Sequence, residues 1–231
     1  MPRTIIVGDV HGCSVELEAL LERVKFDLGD LLVSVGDVVA KGPDSRGALD
    51  ILRRTGAILV RGNHEARLLA WKNAPNEVVL GKNHQEVASK LREQDWTLLQ
   101  ASPFWFDLPA HEARVVHAGV VPNVSIEKQT AENLVTIRSI DSKGEASDRA
   151  SGNVLWGEVY KGPPHVVFGH NALTGLQLHP WATGLDTGCV YGGRLAALVL
   201  SEGQKIPKRA AERQPLLVFE PARRVYVDAK G

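Results

Sequence analysis

Apolar residues fall in short runs along the first third of the chain, and each run is closed by a glycine and a polar side chain. Ile5 to Val7 ends in Gly8-Asp9, Leu31 to Val35 ends in Gly36-Asp37, and Ala57 to Val60 ends in Arg61-Gly62-Asn63-His64. Between the runs the spacing becomes helical. Leu17, Leu20, Leu21 and Val24 fall at i, i+3, i+4 and i+7 behind Ser14, a capping residue, with Glu16 in the first turn. Asp44 is placed to cap a second helix with Ala48, Ile51, Leu52 and Thr55 on one stripe, and a third helix follows with Leu68 and Leu69 on its apolar face. Uniformly apolar strands alternating with helices predict βαβαβ, a sheet covered by helices on both faces, hence the α/β (α+β) class.

The middle is less regular. Residues 78–99 are expected to form a helix with Ala88, Leu91 and Leu98 roughly in phase, and Phe104 to Leu108 and Ala113 to Val116 to form strands, the second ending in His117-Ala118-Gly119. Pro122 to Asn153 is polar and mixed. Strands are expected again at Val166 to Phe168, Leu185, Arg194 to Leu200, Leu216 to Phe219 and Arg224 to Val227. The basic, proline-interrupted stretch from Lys205 to Arg213 is expected to be a solvated turn. No repeat or linker interrupts the chain, so residues 1–231 are taken as one domain, with 71–100 and 122–155 as cap or specificity segments.

Composition narrows the partners. The chain has 231 residues, 44% hydrophobic and 23% charged, with formal net charge zero. Disorder as the main state is excluded, and so is the wide basic field of a bulk nucleic-acid or membrane-surface binder. An anionic small substrate stays open, because a local site supplies its own positive charge. The two cysteines, Cys13 and Cys189, allow neither a disulfide framework nor a four-cysteine zinc site, and a reducing cytoplasm is the expected location. No apolar run reaches the ~18 residues of a membrane span.

The chemistry gathers where strands end. Asp9 and His11 follow the first strand, Asp37 the second, Asn63 and His64 the third, His117 a later one, and His170 follows Val166-Val167-Phe168-Gly169. In open α/β sheets the carboxyl ends of strands line the site. Carboxylate and imidazole without thiolate suit divalent first-row cations. Asp9, His11, Asp37, Asn63, His117 and His170 are too many ligands for one ion that must also leave room for substrate, so two ions about 3.5–4 Å apart with a shared carboxylate fit better. Such a pair lowers the pKa of a bound water and clamps a phosphoryl oxygen, which implies phosphate-ester or anhydride hydrolysis by in-line attack.

Gly8-Asp9-Val10-His11-Gly12, the run Gly36 to Gly42, Arg61-Gly62-Asn63-His64-Glu65, His117-Ala118-Gly119 and Gly169-His170 resemble the ordered motifs of the phosphoprotein-phosphatase branch of the metallophosphoesterases. The resemblance implies a β-sandwich flanked by helices, in four layers α/β/β/α. It implies that Asp9, His11 and Asp37 hold one metal and that Asp37, Asn63, His117 and His170 hold the other, with Asp37 bridging. It further implies that a metal-bridging hydroxide attacks phosphorus, that His64 protonates the leaving oxygen, and that a basic residue, here Lys41, binds phosphate. Two Mn²⁺ ions are the first expectation, with Fe, Co or Zn as alternatives.

Ala40-Lys41 departs from the Asp-Arg usual in protein phosphatases of this branch. That Asp partners the catalytic histidine, so His64 is expected to be oriented by a backbone carbonyl, a water or Asp186 instead. The runs Lys41 to Ser45, Asn133 to Arg138 and Gly184 to Gly193 resemble the ApaH-like group, the symmetrical bis(5'-nucleosyl)-tetraphosphatases that split diadenosine tetraphosphate into two ADP. Arg61 to Glu65 is nearer the protein phosphatases. The expected substrate is a dinucleoside polyphosphate held by Lys41, Arg138 and Asp186. Phosphoproteins and inorganic polyphosphate are alternative substrates of the same chemistry, and a non-catalytic nucleotide-binding protein is the alternative from another class. His84, His111, His165 and His179 lack partners at useful spacing and are assigned structural or surface roles, and Cys189 is assigned to packing.

Overall fold

The computed structural model of the protein describes residues 2–228. The strands are β1 (Arg3–Val7), β2 (Leu31–Ser34), β3 (Ile58–Leu59), β4 (Trp105–Leu108), β5 (Ala113–Val116), β6 (Ser139–Ile140), β7 (Ala146–Ser147), β8 (Val154–Leu155), β9 (His165–Phe168), β10 (Gln177–His179), β11 (Ala182–Gly184), β12 (Arg194–Ser201) and β13 (Leu217–Pro221). The helices are α1 (Ser14–Arg23), α2 (Ser45–Arg54), α3 (Asn63–Asn73), α4 (Lys82–Lys90), α5 (Glu93–Ala101), α6 (Ala131–Thr136), α7 (Trp156–Val159) and α8 (Ala210–Arg213).

Two five-stranded sheets carry the fold, in the orders β13-β12-β1-β2-β3 and β10-β11-β9-β5-β4. In the first, β1, β2 and β3 run parallel and β12 antiparallel to β1. In the second, β5, β9 and β11 run parallel, with β4 and β10 antiparallel at the edges.

Strand side chains alternate between faces, and the alternation divides the core into layers. Ile5 and Val7 pack with the apolar stripes of α1 and α2, and Leu68 of α3 joins them. Ile6, Val33 and Val35 point the other way and meet Val115 and Val167 of the second sheet. Val116, Val166 and Phe168, on that sheet's outer face, pack with Leu134 of α6 and Trp156 of α7. The result is helices, sheet, sheet, helices: the expected four-layer α/β/β/α sandwich.

Several local expectations are corrected. Residues 78–99 form two helices, because Leu91 and Arg92 are extended and the Asp95 carboxylate accepts the Arg92 N–H at 2.8 Å, starting a new helix. Ser14 is the first residue of α1 rather than its cap; Cys13 precedes it, and the Ser14 hydroxyl donates to Asp44 at 2.9 Å. Arg224 to Val227 is not a strand, since the Tyr226 and Val227 N–H groups both turn to Val190 O. Leu185 lies one residue beyond β11. Within the basic stretch Arg213 is fully buried, donating to Ala182 O, Thr183 Oγ1, His179 O and Lys208 O. Four acceptors compensate the desolvated guanidinium, so this residue pins the β10–β11 edge instead of facing water.

Candidate metal centre

The loops after β1, β2 and β3 lie against one another. His11 N–H donates to Asp37 O at 2.7 Å and Gly12 N–H to Val38 O at 2.8 Å. The Glu65 carboxylate, fully buried on α3, accepts N–H groups from Asp37, Val38, Val39 and Gly62 at 2.9–3.1 Å, tying two loops to one side chain. The approach needs glycine twice: a Cβ at Gly62 would strike Asp37 Oδ1, and one at Gly169 would strike Asp9 Oδ1. His11, Asp37 and His170 have positive φ (46°, 48° and 67°). Non-glycine residues hold that conformation at a cost, which the surrounding hydrogen bonds offset.

These loops bring the expected ligands together. Donor atoms of Asp37, His117 and His170 lie within 4.8 Å of one another, as do those of His11, Asp37 and His64. Asp37 belongs to both sets, the placement expected of a bridging carboxylate. Asn63 Oδ1 lies 3.0 Å from His117 Nε2 and 3.0 Å from His170 Nδ1. Asp9 stands outside both sets; its carboxylate accepts the His170 N–H at 3.0–3.1 Å.

The donor set fits divalent cations on its hydrogen bonding. His117 Nδ1 lies 3.0 Å from Val35 O, His11 Nδ1 3.4 Å from Val39 O, and His170 Nε2 3.2 Å from Thr136 O. A carbonyl only accepts, so His11 and His170, which burial keeps neutral, carry the proton on the nitrogen facing the carbonyl and turn the bare one inward, the tautomer of a metal-ligating histidine, while His117 donates from Nδ1 and presents Nε2 to Asp37 and Asn63. Lys41 Nζ, 3.1 Å from His11 Nε2, presents a positive charge to that bare nitrogen.

The electrostatics also ask for cations. Asp9, Asp37 and Asp186 are all buried. Burial and then Asp186 push Asp9 well above the usual carboxylate range, and burial pushes Asp186 up to about 6. Burial would also raise Asp37, but the His117 and His64 imidazoles outweigh it and hold Asp37 well below that range. His117 is raised to about 9, Asp37 overcoming the burial that opposes its charge. Burial holds His11 and His170 well below the usual imidazole value.

His64 Nε2 lies 3.9 Å from Asp37 Oδ2. Its Nδ1 meets neither a backbone carbonyl nor Asp186; it lies 3.0 Å from His84 Nε2. His84 is therefore at the site, contrary to its assignment from sequence, and Asp186 instead accepts the Gly188 N–H at 3.1 Å. His111 and His165 keep structural roles, with His111 bonded to Gln204 O and Thr4 Oγ1 and His165 to Thr183 Oγ1.

Two clefts open beside the centre. One of about 380 Å³ is lined by Lys41, Arg138, His170, Asn171, Asp186 and Tyr191. Arg138 donates to Asp148 O at 2.9 Å and leaves its buried Nε unpartnered, as does the Asn171 Oδ1. The other, of about 790 Å³, is lined among others by Lys41, Arg46, Asn83, Lys90, Arg224 and Tyr226. Lys41 borders both. Asn83, Asn171, Tyr191 and Tyr226 are contributions that sequence reasoning missed, as is the acceptor role of Glu65.

The calcineurin-like phosphoesterase family model matches residues 2–202. The symmetrical bis(5'-nucleosyl)-tetraphosphatase of Shewanella oneidensis is 36% identical over 58% of this chain, which spans half the length of that relative. Serine/threonine-protein phosphatase 1 of Salmonella typhimurium is 29% identical over 82% of this chain and 88% of its own. A crystal structure provisionally named a diadenosine tetraphosphatase superposes with a TM-score of 0.81 at 38% identity, covering 95% of this chain and 93% of the other. Among the described residues no helix is long and apolar enough to cross a membrane.

Proposed function

The chain belongs to the calcineurin-like phosphoesterases, and on that premise we propose that it hydrolyses dinucleoside polyphosphates, cutting diadenosine tetraphosphate symmetrically into two ADP. The observation that supports the substrate is a pair of clefts that share Lys41, the smaller of them also lined by His170 of the donor set. A dinucleotide joined through a chain of phosphates has two bulky ends and a polyanionic middle, and needs room on both sides of the cut. Cations line both clefts: Lys41 and Arg138 the smaller, Lys41, Arg46, Lys90 and Arg224 the larger.

Asp9, His11, Asp37, Asn63, His117 and His170 would hold two divalent ions, Mn²⁺ first and Fe, Co or Zn as alternatives. When bound, such a pair activates water and draws charge from the phosphoryl oxygens. Lys41 and Arg138 add positive charge where the equatorial oxygens become more negative. His64 Nε2 gives a proton to the departing oxygen. Burial holds this imidazole down to about 4, and a phosphate anion beside it would favour the charged form that donates, the proton coming from solvent. Asp186 orders the turn that carries Gly188 beside the smaller cleft. The two cysteines are free and buried, which suits a reducing cytoplasm.

Product chromatography tests the reading. Protein loaded with Mn²⁺ is incubated separately with diadenosine tetraphosphate, a phosphopeptide and polyphosphate. ADP as the sole nucleotide product, at the highest kcat/KM of the three, is the expected result. AMP plus ATP would overturn the symmetrical cut, and faster release of phosphate from the peptide would make this chain a protein phosphatase.

A further inference from the structure

Helix α4 lies in a segment that the strand-end chemistry does not use, yet its first turn reaches the centre twice. Asn83 Oδ1 accepts the Lys41 N–H at 2.7 Å, and His84 Nε2 lies 3.0 Å from His64 Nδ1. The His64 and His84 rings are nearly parallel, 8° apart, with centroids separated by 4.9 Å. Ring nitrogens at 3.0 Å with centroids that far apart describe two imidazoles meeting edge to edge, the arrangement of an N–H···N hydrogen bond. The contact is on the far side of His64 from the ligands, because the other nitrogen, Nε2, is the one facing Asp37.

We propose that His84 is the positioning residue for His64, accepting its Nδ1–H so that Nε2 is held toward the substrate phosphate as the proton-carrying atom. The inference rests on the reading of His64 as the proton donor. The chemistry follows from the inventory of an imidazole: across one N···N contact, one ring must donate and the other accept. With His64 donating from Nδ1, its neutral tautomer is fixed with Nε2 bare, so the proton that the ring takes up and passes to the leaving oxygen is exchanged at Nε2. The ring orientation is fixed as well, about a terminal torsion that is otherwise broad. His84 is itself placed by a packed helix: Val87 is buried in the core, and Asn83 anchors the preceding turn to Lys41.

Steady-state kinetics on phenyl phosphate and p-nitrophenyl phosphate, with Mn²⁺-loaded wild type, H64A, H84A, H84Q and the H64A/H84A double variant, tests this. Phenolate is a poor leaving group that needs the proton, and nitrophenolate needs it far less. H84A is expected to lower kcat on phenyl phosphate about 10–100-fold, the usual cost of removing an orienting partner, with KM unchanged and a much smaller loss on the nitrophenyl ester. H84Q should restore most of that rate, its amide oxygen accepting the Nδ1–H from a similar reach. In the H64A background the second substitution should cost nothing further, the non-additivity of residues acting as a unit. Equal losses on both esters, no restoration by Gln, or an undiminished H84A effect without His64 would overturn the proposal. An H64A variant without leaving-group dependence would refute the proton-donor role itself. H64A showing that dependence while H84A is silent would refute His84 alone. If H84A fails to fold, long-range ¹H–¹⁵N spectra of metal-free wild type and H84Q decide: a neutral His64 with its proton on Nδ1 in both supports the proposal, and a neutral His64 protonated on Nε2 with Nδ1 bare in the wild type overturns it.

Discussion

Two regions meet at the candidate metal centre and reach it differently. The loops after β1, β2 and β3 arrive as backbone: they trade N–H···O bonds with one another, fold around one glutamate, and carry candidate ligands on residues held at positive φ. The covering segments arrive as side chains. Asn83 and His84 reach in from α4, and Arg138 from the turn after α6. The first arrangement sets each donor position by bonds along the chain, which suits coordination. The second lets length and angle vary with the segment, which suits substrate selection and orientation more than coordination.

The sharpest way to break this contrast is at a ligand. N63A removes the oxygen that lies 3.0 Å from both His117 and His170. Its kcat/KM should fall by more than the 10–100-fold typical of an outer partner, with Mn²⁺ content after gel filtration falling in step and far-ultraviolet circular dichroism unchanged. Wild-type turnover with retained metal would remove Asn63 from the ligand set and leave the covering segments as the more important region.

E65A comes next and tests whether the loops owe their placement to one buried carboxylate. Four backbone N–H groups would lose their acceptor in a site without other partners. We expect a loss of about 4 kcal/mol in the free energy of unfolding, measured by denaturant titration, together with weakened Mn²⁺ binding. H84A, by contrast, should leave the denaturation midpoint near the wild-type value. If E65A proved as stable as wild type, the loops would have to be held by their mutual backbone bonds alone.

The same contrast explains what the sequence made legible. Candidate ligands at strand ends stand out because an apolar run of period-independent burial stops abruptly at Gly-Asp, Gly-Asn-His or Gly-His, and that abruptness is local. The four layers were legible for a related reason, since Ile5, Ile6 and Val7 must point alternately and need a cover on each side. His84 gave no such signal. It is one histidine in a polar stretch, and its partner is 20 residues away on another helix, joined only by the way α4 docks. Arg213 misled for the converse reason: composition made its stretch look solvated, while three of its four acceptors lie 30 or more residues upstream on β10 and β11. The helix break at Leu91 rests on one side-chain cap from Asp95, which periodicity across residues 78–99 does not register.

A histidine of the framework supplies the smallest test and the cleanest control. His165, on β9, is buried, and its Nε2 is 2.8 Å from Thr183 Oγ1. Burial, with Arg213 adding to it, holds its imidazole down to about 3. In the unfolded chain the ring takes a proton below about pH 6.5, while in the folded one it stays neutral until about pH 3. The unfolded state therefore binds more protons throughout that window, so the contribution is fully present above pH 6.5 and is lost as the pH falls toward 3. Between pH 7.5 and 5 the wild type should lose about 2 kcal/mol more stability than H165Q, which keeps a hydrogen-bonding group for Thr183 without the ionisation. Denaturant midpoints at the two pH values measure the difference, and turnover at pH 7.5 should be alike in both proteins. A large loss of turnover in H165Q at unchanged stability would mean that sheet framework and centre are coupled through β9, whose end carries His170, and that the division between backbone-held ligands and side-chain cover is drawn in the wrong place.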